Sequence, residues 1–492
     1  MSIDWSVVAA ILALLLVFGG LAIRVVALGV IPGNRKPSTG MAWLLLVLLS
    51  PGLGVLAFFF FGSNKLERRR HERQQRANDL IVDRVAALPA VPIPDGLPDI
   101  VPGLVHLNQQ LGSLPLSLDN TVQLLPDYRG SINAMAEAIR GAESSVDVEF
   151  YISAWDDVTA PVFEAMADAA SRGVRVRFLF DHLGSRGIPG YQDFLKRLAG
   201  TDIAWHPMLP VRPLQGRFRR PDLRNHRKLA VIDGRVGFTG SQNLTEPGYN
   251  KPKNHAVGRE WVELMARVTG PVVTSLAAVF AQDWYAETDE VSSVLPAETP
   301  ATTPQGALTA VACQVVPSGP GYVWESNLRM FNTLLYGARR RLSITSPYFV
   351  PDESLLYSVT TAARRGVAVE LFVSEVSDQF MVGHAQASYY RALLEAGVRI
   401  YLYPAPWILH GKHFTVDDHI AVIGSSNMDQ RSFALNFEVS MMMLGADVVT
   451  AMREVEDGYR AASRELTSEE WSQRPMRKKY VDNVMRLTAG LQ

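Results

Sequence analysis

The chain is 492 residues long, enough for two or three domains, and 48% of it is hydrophobic. Its formal net charge of −1 excludes a bulk nucleic-acid binder, although local basic patches can still hold anions. Cys313 is the single cysteine, so no intrachain disulfide forms, which suits a reducing compartment.

Two apolar runs open the chain. Trp5 to Ile23 is 19 residues without a charge, and Met41 to Phe61 is another 21. A helix of ~20 apolar residues crosses the ~30 Å hydrocarbon core. A cleaved signal peptide fits poorly, because MSID lacks a basic start and a second run follows. The turn-rich loop VIPGNRKPSTG predicts a transmembrane hairpin within residues 1–63, with helices over about 5–26 and 41–61. Pro51 is expected to kink the second helix, and Arg24 to snorkel to the interface. Lys65, Arg68, Arg69, Arg70, Arg73 and Arg76 follow the second run, against Arg35 and Lys36 in the loop. The positive-inside rule then predicts a multi-pass protein with both its N-terminus and its long C-terminal part in the cytoplasm.

Residues 64–116 read as a connector: a charged helix, then ALPAVPIPDGLPDIVPG, whose five prolines favour an extended spacer. From residue 117 the chain reads as duplicated, with one unit over 117–303 and another over 304–492. AIRGAESSVDVEFYISAW is matched by LLYGARRRLSITSPYFVP, and AMADAASRGVRVRFLFD by VTTAARRGVAVELFVSE. Each of the latter pair is an Ala-rich amphipathic helix, a Gly stop and a Val-rich strand. FLKRLAGTDIAWHP is matched by YRALLEAGVRIYLYP. The rhythm predicts an α/β class with two α/β units and a parallel or mixed sheet.

The repeat sharpens in HRKLAVIDGRVGFTGSQN (226–243) and HGKHFTVDDHIAVIGSSN (410–427), where His, Lys, Asp, Gly, Ser and Asn recur at offsets 0, +2, +7, +14, +15 and +17. On a strand, side chains at i and i+2 share a face. His226 and Lys228 therefore project together, as do His410 and Lys412. Asp233 and Asp417 belong to the catalytic motif, but their odd offset turns them away, and Asp233-Gly234 is a hairpin signal. Both are read as structural. Ser241, Asn243, Ser425 and Asn427 supply uncharged donors. Glu263 and Glu438 align beyond them and can fix a histidine tautomer.

Two lysines can hold the non-bridging oxygens of a phosphodiester and offset charge in the transition state. One neutral histidine can attack phosphorus, and the other, protonated, can donate to the leaving oxygen. Metal binding fits less well: lysine is not a usual ligand, and neither HExxH nor a CxxC pair is present. No metal or cofactor is expected. Neither GSQN nor GSSN is a GxSxG elbow.

These residues resemble the phospholipase D superfamily, marked by a duplicated HxKxxxxD followed by GSxN. ITSPYFVP, TAARRGV, YYRALLEAGVRI, GSSNMDQRSFALNFE and the N-terminal hairpin resemble the bacterial cardiolipin synthases. The resemblance implies two homologous phospholipase D-like α/β units packed about a pseudo-twofold axis, each giving one His-Lys pair. It implies metal-independent transfer of a phosphatidyl group from one phosphatidylglycerol to a histidine, with release of glycerol, and then to a second phosphatidylglycerol. It implies a bacterial inner-membrane enzyme whose partners are anionic phospholipids rather than nucleic acid. His226 is the expected nucleophile. With water or serine as acceptor, the same scaffold would be a hydrolytic phospholipase D or a phosphatidylserine-type transferase; a membrane-anchored nuclease is a further alternative. HFTV at 413–416 and NHAVGREWVE in place of NFE depart from the usual pattern. The basic stretch VRPLQGRFRRPDLRNHRK (211–228) and Arg431 are expected to gather headgroups. RPMRKKYVDNVMRL is expected to form an amphipathic helix, on the membrane surface or on the core.

Overall fold

One proline decides the shape of the N-terminal apolar region. The structure, a computed structural model, describes residues 5–33, 37–62, 72–76, 91–211, 222–291, 302–322 and 325–488, and falls into two compact units, Met1–Lys65 and Leu66–Gln492. In the first unit, Trp5–Val30 is one uninterrupted helix, the only one among the described residues long and apolar enough to cross a membrane. The second run is not one helix over 41–61: it forms Pro37–Leu49 and Pro51–Phe61. Pro51 lacks an amide hydrogen and forces the residue before it out of the helical region, and Ser50 sits at φ −139°, ψ 84°. Arg24 Nε donates to the Leu48 carbonyl at 3.1 Å. The loop basics Arg35 and Lys36, and Lys65 to Arg70 of the basic flank, lie outside the described residues.

The second unit carries its strands in two matching sets. The first is β1 (Ser117–Leu125), β2 (Ser145–Phe150), β3 (Arg175–Asp181), β4 (Ala204–Met208), β5 (Arg224–Asn225), β6 (Lys228–Ile232), β7 (Val236–Gly240), β8 (Trp261–Val262) and β9 (Met265–Thr269). The second is β10 (Leu308–Ser318), β11 (Arg341–Thr345), β12 (Phe349–Val350), β13 (Ala368–Ser374), β14 (Arg399–Tyr403), β15 (Ile408–Leu409), β16 (His413–Val416), β17 (Ile420–Gly424), β18 (Met428–Asp429), β19 (Asn436–Leu444) and β20 (Arg464–Leu466). One 16-stranded sheet runs through both, in the order β4-β3-β2-β6-β7-β9-β1-β10-β19-β17-β16-β11-β13-β14-β20, with β5 off this path as the sixteenth strand, paired to β19. Apart from the extra edge strand β20, the order mirrors itself about the β1–β10 pair, which gives the pseudo-twofold relation. β1 and β10 are antiparallel, with Asn120 opposite Val311. Each set combines a parallel β-α-β portion with an antiparallel hairpin: β2, β3 and β4 are parallel, and β6 pairs antiparallel with β2.

The local chemistry repeats with the topology. Helices Ala160–Ser171 and Glu353–Arg364 both stop at a glycine with positive φ, Gly173 (88°) and Gly366 (91°). The next residue then donates back into the helix, Val174 to Ala169 and Val367 to Ala362, before β3 and β13 begin. One apolar core lies under each half. A third joins them, packing Val122, Leu229, Val311, Ile423 and Met441 against helices Val272–Thr288 and Ala446–Ala462.

Two segments differ from the expected connector and tail. Residues 100–112 are not extended: Ile100–Gly112 is a helix whose Val101, Leu104 and Val105 join the core of the second half. Asn108 within it donates to the Gln314 side chain at 3.0 Å, tying it to β10. The C-terminal helix Met476–Arg486 packs on helix Phe380–Ala396, with His384 on Asp482 at 2.7 Å and Arg486 over Tyr389.

Candidate active site

The backbone brings the two motifs together by crossing strands between the halves. β5, just before His226, pairs in parallel with the start of β19, and β15, just before His410, pairs in parallel with β8. The His226 amide donates to Phe437 O at 2.8 Å, and the His410 amide to Val262 O at 2.7 Å. Each histidine is therefore fastened to the strand of the opposite half one residue from its glutamate.

The side chains continue the exchange. His226 Nδ1 lies 3.0 Å from both carboxylate oxygens of Glu438. His410 Nδ1 lies 2.7 Å from Glu263 Oε1. Ser241 Oγ donates to Glu263 at 2.6 Å, and Ser425 Oγ donates to Glu438. The same hydroxyls accept from the amides of Leu264 and Val439, at 3.0 Å each. The motif serine is thus a clamp on the carboxylate. The glycine before it permits the clamp: a Cβ on Gly240 would lie 2.4 Å from Leu264 O, and one on Gly424 2.3 Å from Val439 O.

Lys228 Nζ donates to His226 O at 2.6 Å, and Lys412 Nζ to His410 O at 2.8 Å. Lys412 Nζ also lies 3.1 Å from His410 Nε2. Asn243 accepts from the Ile152 amide at 3.2 Å and donates to Tyr249 Oη at 2.7 Å. Asn427 is buried beside its motif, and no partner for its Oδ1 is found among the described residues. Arg431 bridges Asn436 and the Asp222 carbonyl, at 3.4 and 3.1 Å.

Asp233 and Asp417 are not in this cluster. Each occupies the turn at the far end of its strand, with φ 52° and 49°. Asp233 accepts from the amides of Glu143, Ser144 and Ser145 and from Ser144 Oγ, at 2.7–2.9 Å. Asp417 accepts likewise from the amides of Arg339, Arg340 and Arg341. Burial raises the Asp233 pKa, but these hydrogen bonds outweigh it and the net direction is down. Both aspartates organise the entry to the neighbouring strand, β2 or β11.

The basic stretch also divides. Arg212, Arg217, Arg219 and Arg220 lie outside the described residues. Arg224 and Arg227 are fully buried and do not collect headgroups: Arg224 pairs with Asp181, and Arg227 with Asp283. The surrounding aromatics were not apparent in the motif alignment. Tyr151 stands edge-on to His226 with ring centres 4.9 Å apart, and Tyr348 stands over His410 at 6.2 Å. Counted from the first residues of β2 and β11, their offsets differ by one residue, which hides the correspondence.

Both histidines, both lysines and both glutamates are buried. Desolvation pushes His226 well below its ordinary pKa, and Lys228, Lys412 and His410 add to the push. His410 is lowered by burial too, but Glu263 opposes the shift. Burial lowers Lys228 strongly, aided by Lys412. It lowers Lys412 to about 8, against the pull of Glu263 and Glu438. Burial lifts Glu438 to about 7, with Lys228 opposing. The site buries two lysines, two glutamates and two imidazoles together, a set suited to an anion that needs two donors and a neutral imidazole.

Comparison with known proteins agrees. The fold and paired His-Lys motifs define a phospholipase D-like enzyme, and a family model described as cardiolipin synthase, PLD-like domain, matches residues 135–284 and 332–457. Cardiolipin synthase A of Proteus mirabilis is 33% identical over 457 residues, 92% of each chain. Cardiolipin synthase A of Pectobacterium carotovorum subsp. carotovorum is 33% identical over 479 residues, 96% of this chain and 97% of the relative. The crystal structure of phosphatidylserine synthase from Haemophilus influenzae shares the fold, with a TM-score of 0.60 at 15% identity over 79% of this chain and 99% of that one. The chain belongs to the cardiolipin synthase family of phosphatidyltransferases.

The crossed pairs predict separable defects. Glu438→Gln should slow formation of any covalent intermediate on His226 by ~10²-fold or more, while Glu263→Gln should act through His410 on the proton-transfer step. Rapid-quench single-turnover kinetics checks both, with thermal unfolding as the control for folding. Anion affinity should also depend on pH. A bound anion favours the protonated lysine, so affinity is full below the Lys412 pKa and falls as pH rises through about 8. Calorimetric titration with tungstate at about pH 7 and about pH 9 should show the loss, smaller in Lys412→Arg.

Proposed function

We propose that the protein makes cardiolipin from two molecules of phosphatidylglycerol, and that the crossed histidine–glutamate pairs carry the reaction. The Glu438 contact engages His226 Nδ1, so a neutral imidazole carries its proton there and its lone pair on Nε2. The strong downward pull on His226 keeps that nitrogen unprotonated, as a nucleophile requires. His226 Nε2 attacks phosphorus, the P–N bond forms, and the P–O bond to the glycerol headgroup breaks. His410, whose charged form Glu263 supports, gives its proton to the departing oxygen. The hydroxyl of a second phosphatidylglycerol then loses its proton to His410 and attacks phosphorus. The P–N bond breaks, and cardiolipin and free histidine result.

Lys228 and Lys412 hold the non-bridging oxygens throughout. With both histidines neutral, the two lysines and two glutamates cancel in formal charge. An arriving phosphodiester adds one negative charge, which favours protonating one imidazole. Substrate binding thereby prepares the general acid. Ser241 and Ser425 keep the carboxylates in place, Asn243 ties the neighbouring loops, and Asp233 and Asp417 support the strands from behind, while the Asn427 amide is left to meet the substrate. The membrane-bound enzyme works from the cytoplasmic side, as the basic flank between Lys65 and Arg76 favours.

Purified protein given phosphatidylglycerol in mixed micelles with a chelator should yield equal amounts of cardiolipin and free glycerol by mass spectrometry and enzymatic assay. Phosphatidic acid without cardiolipin would show hydrolysis instead, and loss of activity with chelator would show a metal requirement. Trapping with labelled lipid should give an acid-labile adduct that His226→Ala abolishes and His410→Ala retains; the reverse pattern exchanges the two roles.

A further inference from the structure

The N-terminal unit holds a feature the catalytic reading does not use. Helices Pro37–Leu49 and Pro51–Phe61 do not continue one another around a mild kink. Trp43 and Phe58 meet edge-on with ring centres 5.5 Å apart. In a straight helix, residues separated by 15 positions lie ~22 Å apart. A Cβ on Gly54 would fall 2.6 Å from Val47 Cα. The pairs 43/58 and 47/54 are both centred on Ser50–Pro51, so the two segments fold back on each other about that point. With 13 and 11 residues, they reach ~20 and ~16 Å, roughly two-thirds and half of the ~30 Å hydrocarbon core.

The first helix shows how deep the tip lies. Trp5–Val30 has 26 residues and spans ~39 Å, enough for the core plus part of the headgroup layers. Arg24, six residues before its end, donates to Leu48 O beside the tip, and a Cβ on Gly20 would lie 4.0 Å from Pro51. Gly40 packs near Pro32 at the opposite end of the hairpin. The Leu48 carbonyl has lost its helical partner at the break, where a lipid-facing polar group costs several kcal/mol (~2–7). The guanidinium supplies the missing donor and places a positive charge at the C-terminal end of Pro37–Leu49, where the helix dipole favours it. A charge within an otherwise apolar span thus has a definite partner.

We propose that the second apolar run is re-entrant: it enters the bilayer, turns at Ser50–Pro51 against Arg24, and leaves by the face it entered. The chain then crosses the membrane once, through Trp5–Val30, and its N-terminus faces the side opposite the catalytic unit. The charges support this independently. Two crossings would put Arg35 and Lys36 on the face away from the basic flank; a re-entrant pair puts them with Lys65, Arg68, Arg69, Arg70 and Arg73, leaving only acidic MSID outside. Every basic group near the membrane ends is then on one side, as the positive-inside rule requires. This replaces the expected two-crossing hairpin. The fold-back stands whatever lipid the enzyme uses; only naming the exit face as cytoplasmic rests on the orientation proposed above.

Single cysteines at Ser2, Asn34 and Asn64 test the path, because the native Cys313 is buried. With a membrane-impermeant maleimide on intact spheroplasts, Ser2→Cys should label and Asn34→Cys and Asn64→Cys should label only after permeabilisation. Asn34→Cys and Asn64→Cys on opposite faces would overturn the re-entrant path. Both labelled from outside, with Ser2→Cys protected, would keep the path and overturn the cytoplasmic assignment. A second measurement is independent of orientation: Trp43→Cys/Phe58→Cys in the full-length protein should lose both thiols to a bifunctional methanethiosulfonate reaching about 10 Å, well short of the ~22 Å between these positions in a straight helix. Retention of free thiols there would overturn the fold-back.

Discussion

Each active histidine is held by a carboxylate from the other half of the molecule, and much of the architecture follows from that exchange. Glu438 reaches His226 and Glu263 reaches His410, so neither half holds a complete site. The continuous sheet through β1 and β10 sets the two halves in register. The short parallel pairings of β5 with β19 and β8 with β15 bring the histidine backbones beside the glutamate-bearing segments. A break in either pairing would misplace a histidine and its glutamate together.

Burial makes the exchange chemically useful. Six ionisable side chains are buried together, and a lone buried charge is costly, so each is satisfied by a neighbour or shifts toward its neutral form. The histidines start from nearly the same sequence motif but differ in surroundings. Burial pushes His226 down and three neighbouring basic groups add to the push, whereas Glu263 resists the fall of His410. Small asymmetries in a pseudo-symmetric site thereby give two like histidines different electrostatic surroundings.

Much of this was legible in the sequence. The repeated offsets in 226–243 and 410–427 marked the paired strands, and the Gly stops before β3 and β13 marked the repeated units, because helix termination and strand alternation are local. Face-counting placed Asp233 and Asp417 away from their histidines, and both sit in distant turns. Other features were out of reach. The buried roles of Arg224 and Arg227 depend on Asp181 and Asp283, which no spacing connects to them. The helix at Ile100–Gly112 was hidden by the prolines before it, and its stability comes from packing on the second half. The tyrosines over the histidines escaped because their offsets differ.

The sequence alone determined the duplication, the His-Lys pairs, the demotion of the aspartates and the apolar N-terminal runs, since each is written in composition or periodicity over a few residues. Only the tertiary structure decided which glutamate serves which histidine, because that depends on strands brought together from 212 and 147 positions apart. Only it decided that the run around Pro51 folds back instead of continuing. Proline predicts a break in the hydrogen-bond ladder, but the direction of the chain after it is set by the packing of Trp43 on Phe58 and by Arg24 at the freed carbonyl.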